Sequence, residues 1–369
     1  MARPRKVTTD APVNIPEGLA TALENINKKF GQGSIMFMGN VEHKKVDVIS
    51  TGSIMIDKAL GIMGFPRGRI VVVEGQPSGG KSSLMLSTIA QAQKAGLVCA
   101  YIDYEYSYDV GFAKILGVDT DKLIVSQPDD AEGGMMIVEE LIASKEVALI
   151  VVDSTAAMVT RAEISGEIGD ATIAQLARLM SATLRRFTGP VAQANTCLVF
   201  INQLRTNLAI GGYGATSDQG TGGKALRFAA SIRLDVRAAE PIKVAESQVG
   251  HKMKVKVAKN KMAAPFKVAE ASFYYDRGFD YVADLLTVAI DEKVVTRSGA
   301  WMYYKGDQVS QGFDKLIQAV KENADLFKSI ETDVLAVFNP VEEAPTDEEK
   351  KDQTATTEPT PEVTPEVKA

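Results

Sequence analysis

Cysteine, histidine and tryptophan are nearly absent from this chain of 369 residues, which holds two, two and one of them. Two cysteines make no disulfide framework, and Cys99 and Cys197 both fall in apolar, strand-like runs where a buried, reduced thiol is expected. The histidines, His43 and His251, stand far apart in charged segments, and neither is expected to carry chemistry. No apolar run approaches the length that spans a bilayer, and the basic N-terminus lacks the apolar stretch of a secretion signal. The expectation is a cytoplasmic protein with no membrane partner. Excess positive charge is missing too. The net charge is −6, yet residues 341–369 hold nine acids against three lysines, so residues 1–340 are neutral overall. That Pro/Thr/Glu-rich tail has almost nothing to bury and is expected to be disordered. It reads as a solubilising terminus or as an acidic flap that competes with phosphate backbones for basic grooves.

What is present is more specific. Gly75, Gln76, Pro77, Ser78, Gly79, Gly80, Lys81 and Ser82 fit G-x-x-x-x-G-K-[ST]. A β-branched run over residues 70–74 precedes them, and a Leu/Met/Ala/Gln-rich helical stretch over 83–94 follows. Strand, glycine loop and helix in that order give the motif its meaning as a P-loop. The glycines let N–H groups turn toward phosphate oxygens, and the helix N-terminus adds a positive dipole end. Lys81 would reach the β- and γ-phosphates and Ser82 would ligate Mg²⁺.

Hydrolysis also needs a second carboxylate for the metal and a group that activates water. Asp153 ends four apolar residues, 149–152, which is a Walker-B pattern. Glu105 follows the apolar strand 99–102, at the carboxyl edge where α/β folds bind ligands, with Asp103 and Asp109 close by. The plain alternative is a set of solvated loop acids. Glu105 is expected to polarise the water, on a strand taken to lie beside the P-loop strand. Gln203 ends a third apolar strand and can sense the γ-phosphate and move the loop behind it. That loop, residues 204–223, holds six glycines and little to bury. Arg205, Asn207, Tyr213 and Arg227 lie in or beside it, a set suited to single-stranded nucleic acid. A second glycine-bearing loop, 165–170, precedes a helix carrying Arg178, Ser181, Arg185 and Arg186. A solvated basic face is the alternative there. Lys259 and Lys261 point the same way along a strand, which indicates an anion or a lysine-guarded edge.

The coarse organisation is α/β. A short amphipathic helix over 17–30 precedes alternating strands and helices, implying a mostly parallel sheet covered on both faces. The helix before the last of these strands is expected over 171–187. Strands at 231–236, 252–257 and 269–275 read as an antiparallel extension. Helices at 281–290, 313–322 and 324–338 and a strand pair near 294–304 form a small α+β domain. The expected division is 1–40, a tail and oligomerisation helix; 41–279, an ATPase core; 280–340, a C-terminal domain; and 341–369, the acidic tail.

The stretches KKFGQGSIM, ISTGSIMIDKALG, GQPSGGKSS, VVDS, GEIGD, FINQLR, TGGKALRF and KNKMAAPF resemble the bacterial-type RecA recombinase family, over about residues 23–338. The resemblance implies a P-loop NTPase core with a helical extension in front and a small C-terminal domain behind. It implies a DNA-dependent ATPase with ATP and Mg²⁺, assembling as a helical homo-oligomer on single-stranded DNA and exchanging strands with a duplex in recombination, repair and the SOS response. It assigns Lys81, Ser82 and Ser83 to phosphate and metal, Asp153 to Mg²⁺, Glu105 to water activation and Gln203 to coupling. Phe112 and Asp109 would meet the adenine, and Lys259 and Lys261 would reach the neighbouring subunit's γ-phosphate. Ile173, Arg178, Ser181, Arg185, Arg205, Asn207, Tyr213, Lys254 and Lys256 would meet DNA. Repressor proteins whose self-cleavage it stimulates are further implied partners.

The chain departs from the family at Phe112, where a tyrosine is usual, in the Tyr104–Asp109 run, and in a longer second DNA loop carrying Tyr213 in place of phenylalanine. These mark a divergent member, of host or phage origin. Two other readings of the residues stay open: a ring-forming hexameric motor, and a non-catalytic coating protein that uses ATP only to assemble.

Overall fold

The computed structural model describes residues 15–32, 34–35, 37, 46–167, 173–206, 218–220 and 224–338. It has two units, residues 1–47 and 48–369. In the first, α1 (Glu17–Phe30) has Glu17 in its first turn and Lys28 and Lys29 in its last, matching the helix dipole, and none of its residues is buried.

The second unit opens with β1 (Val48–Ile49), α2 (Ile54–Leu60), β2 (Phe65–Pro66), β3 (Ile70–Gly75) and α3 (Lys81–Lys94). Next come β4 (Val98–Asp103), α4 (Val110–Ile115), β5 (Ile124–Ser126), α5 (Ala131–Ser144) and β6 (Val147–Asp153). Then follow α6 (Arg161–Ser165), α7 (Ile173–Ala194), β7 (Cys197–Thr206), β8 (Asp218–Gly220) and α8 (Lys224–Ala229). β9 (Ile232–Val244), β10 (Ser247–Asn260), β11 (Val268–Tyr274) and β12 (Gly278–Phe279) run without intervening helices. The last segment holds α9 (Tyr281–Asp291), β13 (Val295–Ser298), β14 (Trp301–Tyr304), β15 (Asp307–Gln311), α10 (Phe313–Glu322) and α11 (Ala324–Phe338).

The main sheet has the order β12-β11-β10-β9-β3-β7-β6-β4-β5, with β8 paired to β7. Pairing is parallel from β9 through β5 and antiparallel from β9 through β12. β3 and β6 are buried at every position, so their unbroken apolar runs face packed helices on both sides. On one face Val71 and Val73 pack with Leu84, Met85 and Ile89 of α3. On the other, Ile70, Val72 and Ile150 pack with Val138 and Ile142 of α5 and Leu184 and Phe187 of α7. Each such side chain contributes about 1.5–3 kcal/mol when fully buried. A third cluster joins Leu285, Leu286, Leu316, Val320, Ile330 and Val334 to Ile54 of α2. Cys99 and Cys197 are buried free thiols. No helix among the described residues is long and apolar enough to cross a membrane.

Four elements exceed the sequence expectation. α7 continues past 187 to Ala194 with Pro190 inside it, because Phe187, Val191 and Ala194 remain buried and the lost hydrogen bond falls near the helix end. β9 and β10 extend well beyond their apolar cores, held by a ladder through polar residues such as Arg237 and Lys254. The expected strand pair is a three-stranded sheet, whose last member, DQVSQ, has no apolar alternation to betray it.

Candidate active site

β3 lies between β9 and β7, so the loop after Gly75 emerges at the carboxyl ends of parallel strands. It passes close to β9: a Cβ on Gly75 would lie 2.1 Å from the Val236 carbonyl oxygen. Gly80 closes the loop at φ +90°, a left-handed conformation open to glycine. Lys81 then starts α3, whose first turn presents N–H groups without intrahelical partners to the loop. Lys81 Nζ donates to the Gln76 carbonyl at 2.8 Å. Burial lowers the Lys81 pKa, while the charges of Asp153 and Glu105 oppose the shift.

Asp153 stands at the end of β6 and is 2% exposed. Its Oδ2 accepts from Ser82 Oγ at 2.6 Å and from the Tyr101 hydroxyl at 2.5 Å. Burial raises the Asp153 pKa, the two hydroxyls lower it, and the nearby charges of Glu105 and Asp103 raise it. A serine hydroxyl and a carboxylate converging beside the P-loop form a hard-oxygen donor pair that fits Mg²⁺.

Glu105 Oε1 accepts from Ser154 Oγ at 2.5 Å and from Gln203 Nε2 at 2.6 Å. The strand before Glu105 does not lie beside the P-loop strand as expected: β7 and β6 stand between β3 and β4. Glu105 reaches the site through the turn that follows β4. Asp103, fully buried, shapes that turn by accepting from the Glu105 and Tyr108 N–H groups at 3.1 and 3.0 Å and from Gln127 Nε2 at 3.0 Å. Of the three crowded acids, Asp103 is thus structural. Asp109 caps α4, accepting from the Phe112 N–H at 3.0 Å.

One cavity of about 730 Å³ gathers these groups. Its wall includes the loop from Pro77 to Ser83, Glu105, Phe112, Asp153 and Gln203, with His251, Phe273 and Tyr275 from β10, β11 and the residue after it. His251, set aside on its sequence context, therefore belongs to the site. Tyr101, Ser154 and Tyr275 were also missed; a tyrosine two residues before Asp103, on the same face of β4, was the one available signal.

The remaining expected residues whose side chains are described lie outside the cavity wall. Asn260 pairs with Ile232, which pairs with Val71, so Lys259 and Lys261 stand at the sheet edge opposite the P-loop. Lys259 Nζ donates to the carbonyls of Arg227 and Phe228 at 2.7 and 3.1 Å. Burial, then Lys261 and Arg233, lower its pKa. Arg178 and Arg185 are exposed on one face of α7 with half-buried Ser181 between them. Arg186 pairs instead with Glu139 at 2.6 Å. Lys254 and Lys256 are exposed on one face of β10, Lys254 paired with Glu270 at 2.8 Å. Arg227 lies 3.9 Å from buried Glu74, which also holds Arg233 at 3.0 Å. The side chains of Ile173 and Arg205, all of Asn207 and Tyr213, most of both glycine loops and the acidic tail fall outside the described residues.

The family model "RecA N-terminal domain" matches residues 17–280 and "RecA C-terminal domain" matches residues 283–339. The chain belongs to the RecA family. It is 47% identical over 320 residues to Protein RecA of Thermus thermophilus, covering 86% of this chain and 94% of that protein. It is also 47% identical over 320 residues to Protein RecA of Bifidobacterium longum (strain NCC 2705), covering 87% and 80%. With Protein RecA of Leifsonia xyli subsp. xyli (strain CTCB07) the identity is 45% over 324 residues, covering 88% and 90%. As a RecA-family protein the chain is a DNA-dependent ATPase of recombination and repair that uses ATP and Mg²⁺, binds single- and double-stranded DNA and forms homo-oligomeric filaments.

Proposed function

We propose that ATP is hydrolysed in the cavity under the β3 loop, and that the residues around it divide the work as follows. Loop N–H groups from Gly75 to Ser83 and the Lys81 ammonium bind the phosphates. Ser82 and Asp153 would hold Mg²⁺, which supplies charge neutralisation at the phosphates. Glu105 orients and deprotonates the attacking water, and Gln203 relays the nucleotide's state to the loop that follows it. Phe112 and Asp109 take the adenine side. Lys259 and Lys261, at the far sheet edge, serve the neighbouring subunit's nucleotide. The loops around 166–173 and 204–223, with Arg178, Ser181, Arg185, Arg205, Asn207, Tyr213, Lys254 and Lys256, line the DNA path. Residues 280–340 form a domain that gathers duplex DNA, 1–40 an oligomerisation arm and 341–369 an acidic flap. The compartment is the cytoplasm, and repressor proteins are partners.

The observation that carries this reading is the convergence of Lys81, Ser82, Asp153, Glu105 and Gln203 on one cavity from β3, β4, β6 and β7. Family membership favours the recombinase over the ring motor. Glu105 beside the P-loop speaks against a coating protein without turnover. The test is phosphate release with and without single-stranded DNA, read beside negative-stain images. DNA-stimulated release with open helical filaments, lost in Lys81→Ala, is expected. Closed rings, filaments without turnover, or a fully active Lys81→Ala would each overturn the assignment.

A further inference from the structure

Ala100, Ile102 and Tyr104 stand at alternate positions along β4 and the residue after it, all buried in the cluster that packs against α5. Tyr104 ends that row, and Glu105, Tyr106 and Ser107 after it are exposed. The Tyr104 ring reaches the first turn of α5, where its hydroxyl donates to the Ala131 carbonyl at 3.4 Å. There it meets Gly134. A Cβ built on Gly134 would overlap the Tyr104 hydroxyl, lie 2.6 Å from the ring's Cζ and lie 2.7 Å from Pro128 Cγ. Glycine at 134 is what leaves a slot for the ring.

Nothing in α5 itself asks for that glycine. Its φ is not left-handed, and glycine inside a helix is less stable than alanine. The slot is also braced. Asp130 caps α5 and holds Arg161 at 2.9 Å, while the Ala131 N–H donates to the Val159 carbonyl at 2.8 Å. What the ring anchors is the start of an exposed turn. The Tyr104 N–H donates to the Asp153 carbonyl at 2.7 Å, and Tyr106 turns the chain at φ +52°, sparsely populated for so large a side chain. Beyond the tip Tyr108 returns to the core, its ring centroid 5.4 Å from that of Tyr101. Glu105 thus stands between two tyrosine anchors. With Tyr104 seated toward α5, Glu105 faces the other side, where Ser154 and Gln203 meet it.

We propose that Tyr104 is a positioning residue for ATP hydrolysis: its ring, seated in the slot that Gly134 leaves open, sets where Glu105 stands relative to the attacking water. This rests on the reading of Glu105 as the water-activating carboxylate and gives its placement a cause. Tyr104 is not part of the cavity wall and acts through the chain, one residue away. A general base works only within hydrogen-bond reach of the proton it takes. A turn displaced by about 1 Å therefore slows turnover, while the P-loop still binds ATP.

Two measurements on the full chain test this: phosphate release on single-stranded DNA, and calorimetric binding of a slowly hydrolysed ATP analogue with Mg²⁺. The variants are Tyr104→Leu, Tyr104→Phe, Gly134→Ala, and Tyr104→Leu combined with Gly134→Ala. In Tyr104→Leu and in Gly134→Ala, kcat is expected to fall about tenfold or more with analogue affinity unchanged. Tyr104→Phe keeps the ring and recovers most of the turnover. In the double variant the alanine costs nothing further, because leucine has left the slot free, so the two losses do not multiply. Wild-type kcat in both single variants, losses that multiply in the double, or an affinity that falls with kcat overturns the proposal. Should Gly134→Ala not fold, the other pair decides: equal turnover in Tyr104→Leu and Tyr104→Phe overturns it. Glu105→Gln, run alongside, keeps the two claims apart. If it turns over like wild type, the reading of Glu105 fails; if it is slow while Tyr104→Leu is not, only the role of Tyr104 fails.

Discussion

Gln203 Nε2 donates to Glu105 Oε1 at 2.6 Å, and Gln203 pairs in register with Gly75. One amide thus joins the strand edge beside the P-loop to the carboxylate proposed to activate water. The strand that carries the amide continues into the glycine-rich loop. Any pull on Gln203 by a γ-phosphate changes what Glu105 is bonded to.

Glu105→Gln keeps an oxygen for the Gln203 and Ser154 donors and removes the base. Turnover on single-stranded DNA is expected to fall roughly 10²–10⁴-fold, with ATP affinity nearly unchanged. Phosphate release and calorimetry read the two quantities separately. A turnover close to wild type would pass the role to another group.

Tyr101→Phe removes one of the two hydroxyls that fix Asp153. Outer donors of this kind tune metal affinity by roughly 10–100-fold. The Mg²⁺ concentration that half-saturates nucleotide binding is expected to rise about tenfold, while fold stability drops by only about 1 kcal/mol. An unchanged Mg²⁺ midpoint would show that Ser82 orients the carboxylate by itself.

Local order was legible and strand order was not. The P-loop, its flanks, α1, α10 and α11 follow from spacing and composition, because each depends on residues within a turn or two. The neighbours of β3 are chosen by packing among strands far apart in sequence, so the expected placement of Glu105's strand beside β3 fails, although Glu105 itself lines the cavity. Tyr101 and His251 were hidden for a different reason. Each comes to the site only when β4 or β10 is laid beside the P-loop's surroundings, and a lone histidine in a charged segment announces nothing.

Asp284 accepts from Ser53 Oγ at 2.7 Å, tying α9 to the residue before α2. Burial pushes its pKa up to about 7 against the Ser53 hydrogen bond, and the charge of Asp280 adds to the rise. A carboxyl with a higher pKa folded than unfolded holds its proton better in the native state. Its contribution to stability is therefore lost as pH rises from about 4 to about 7 and stays lost above that. Asp284→Asn, which cannot ionise, is expected to be more stable than wild type at pH 8, with the advantage shrinking at pH 5. Asp57, pushed up to about 6 by burial, has the same sign but is common to both proteins. Urea unfolding at the two pH values checks this; an equal difference at both would remove Asp284 as the cause.

Lys259 and Lys261 stand at the sheet edge opposite their own P-loop, so a nucleotide they touch must belong to a neighbour. Lys259→Ala with Lys261→Ala is expected to leave ATP affinity of the unassembled chain unchanged. ATP-driven filament formation and DNA-stimulated turnover should both be lost, the latter by roughly 10²-fold or more, on the order of removing a charge-stabilising donor. Lys259 also donates to the Arg227 and Phe228 carbonyls, so Lys261→Ala alone controls for local damage. Mixing subunits decides the geometry. A double-lysine variant keeps its P-loop, and a Lys81→Ala subunit keeps its distal lysines. Where the first is followed by the second, one complete site forms between two subunits that are each inactive alone. Recovery of turnover in the mixture places the lysines across the interface, and a mixture as dead as its parts would place them within their own subunit.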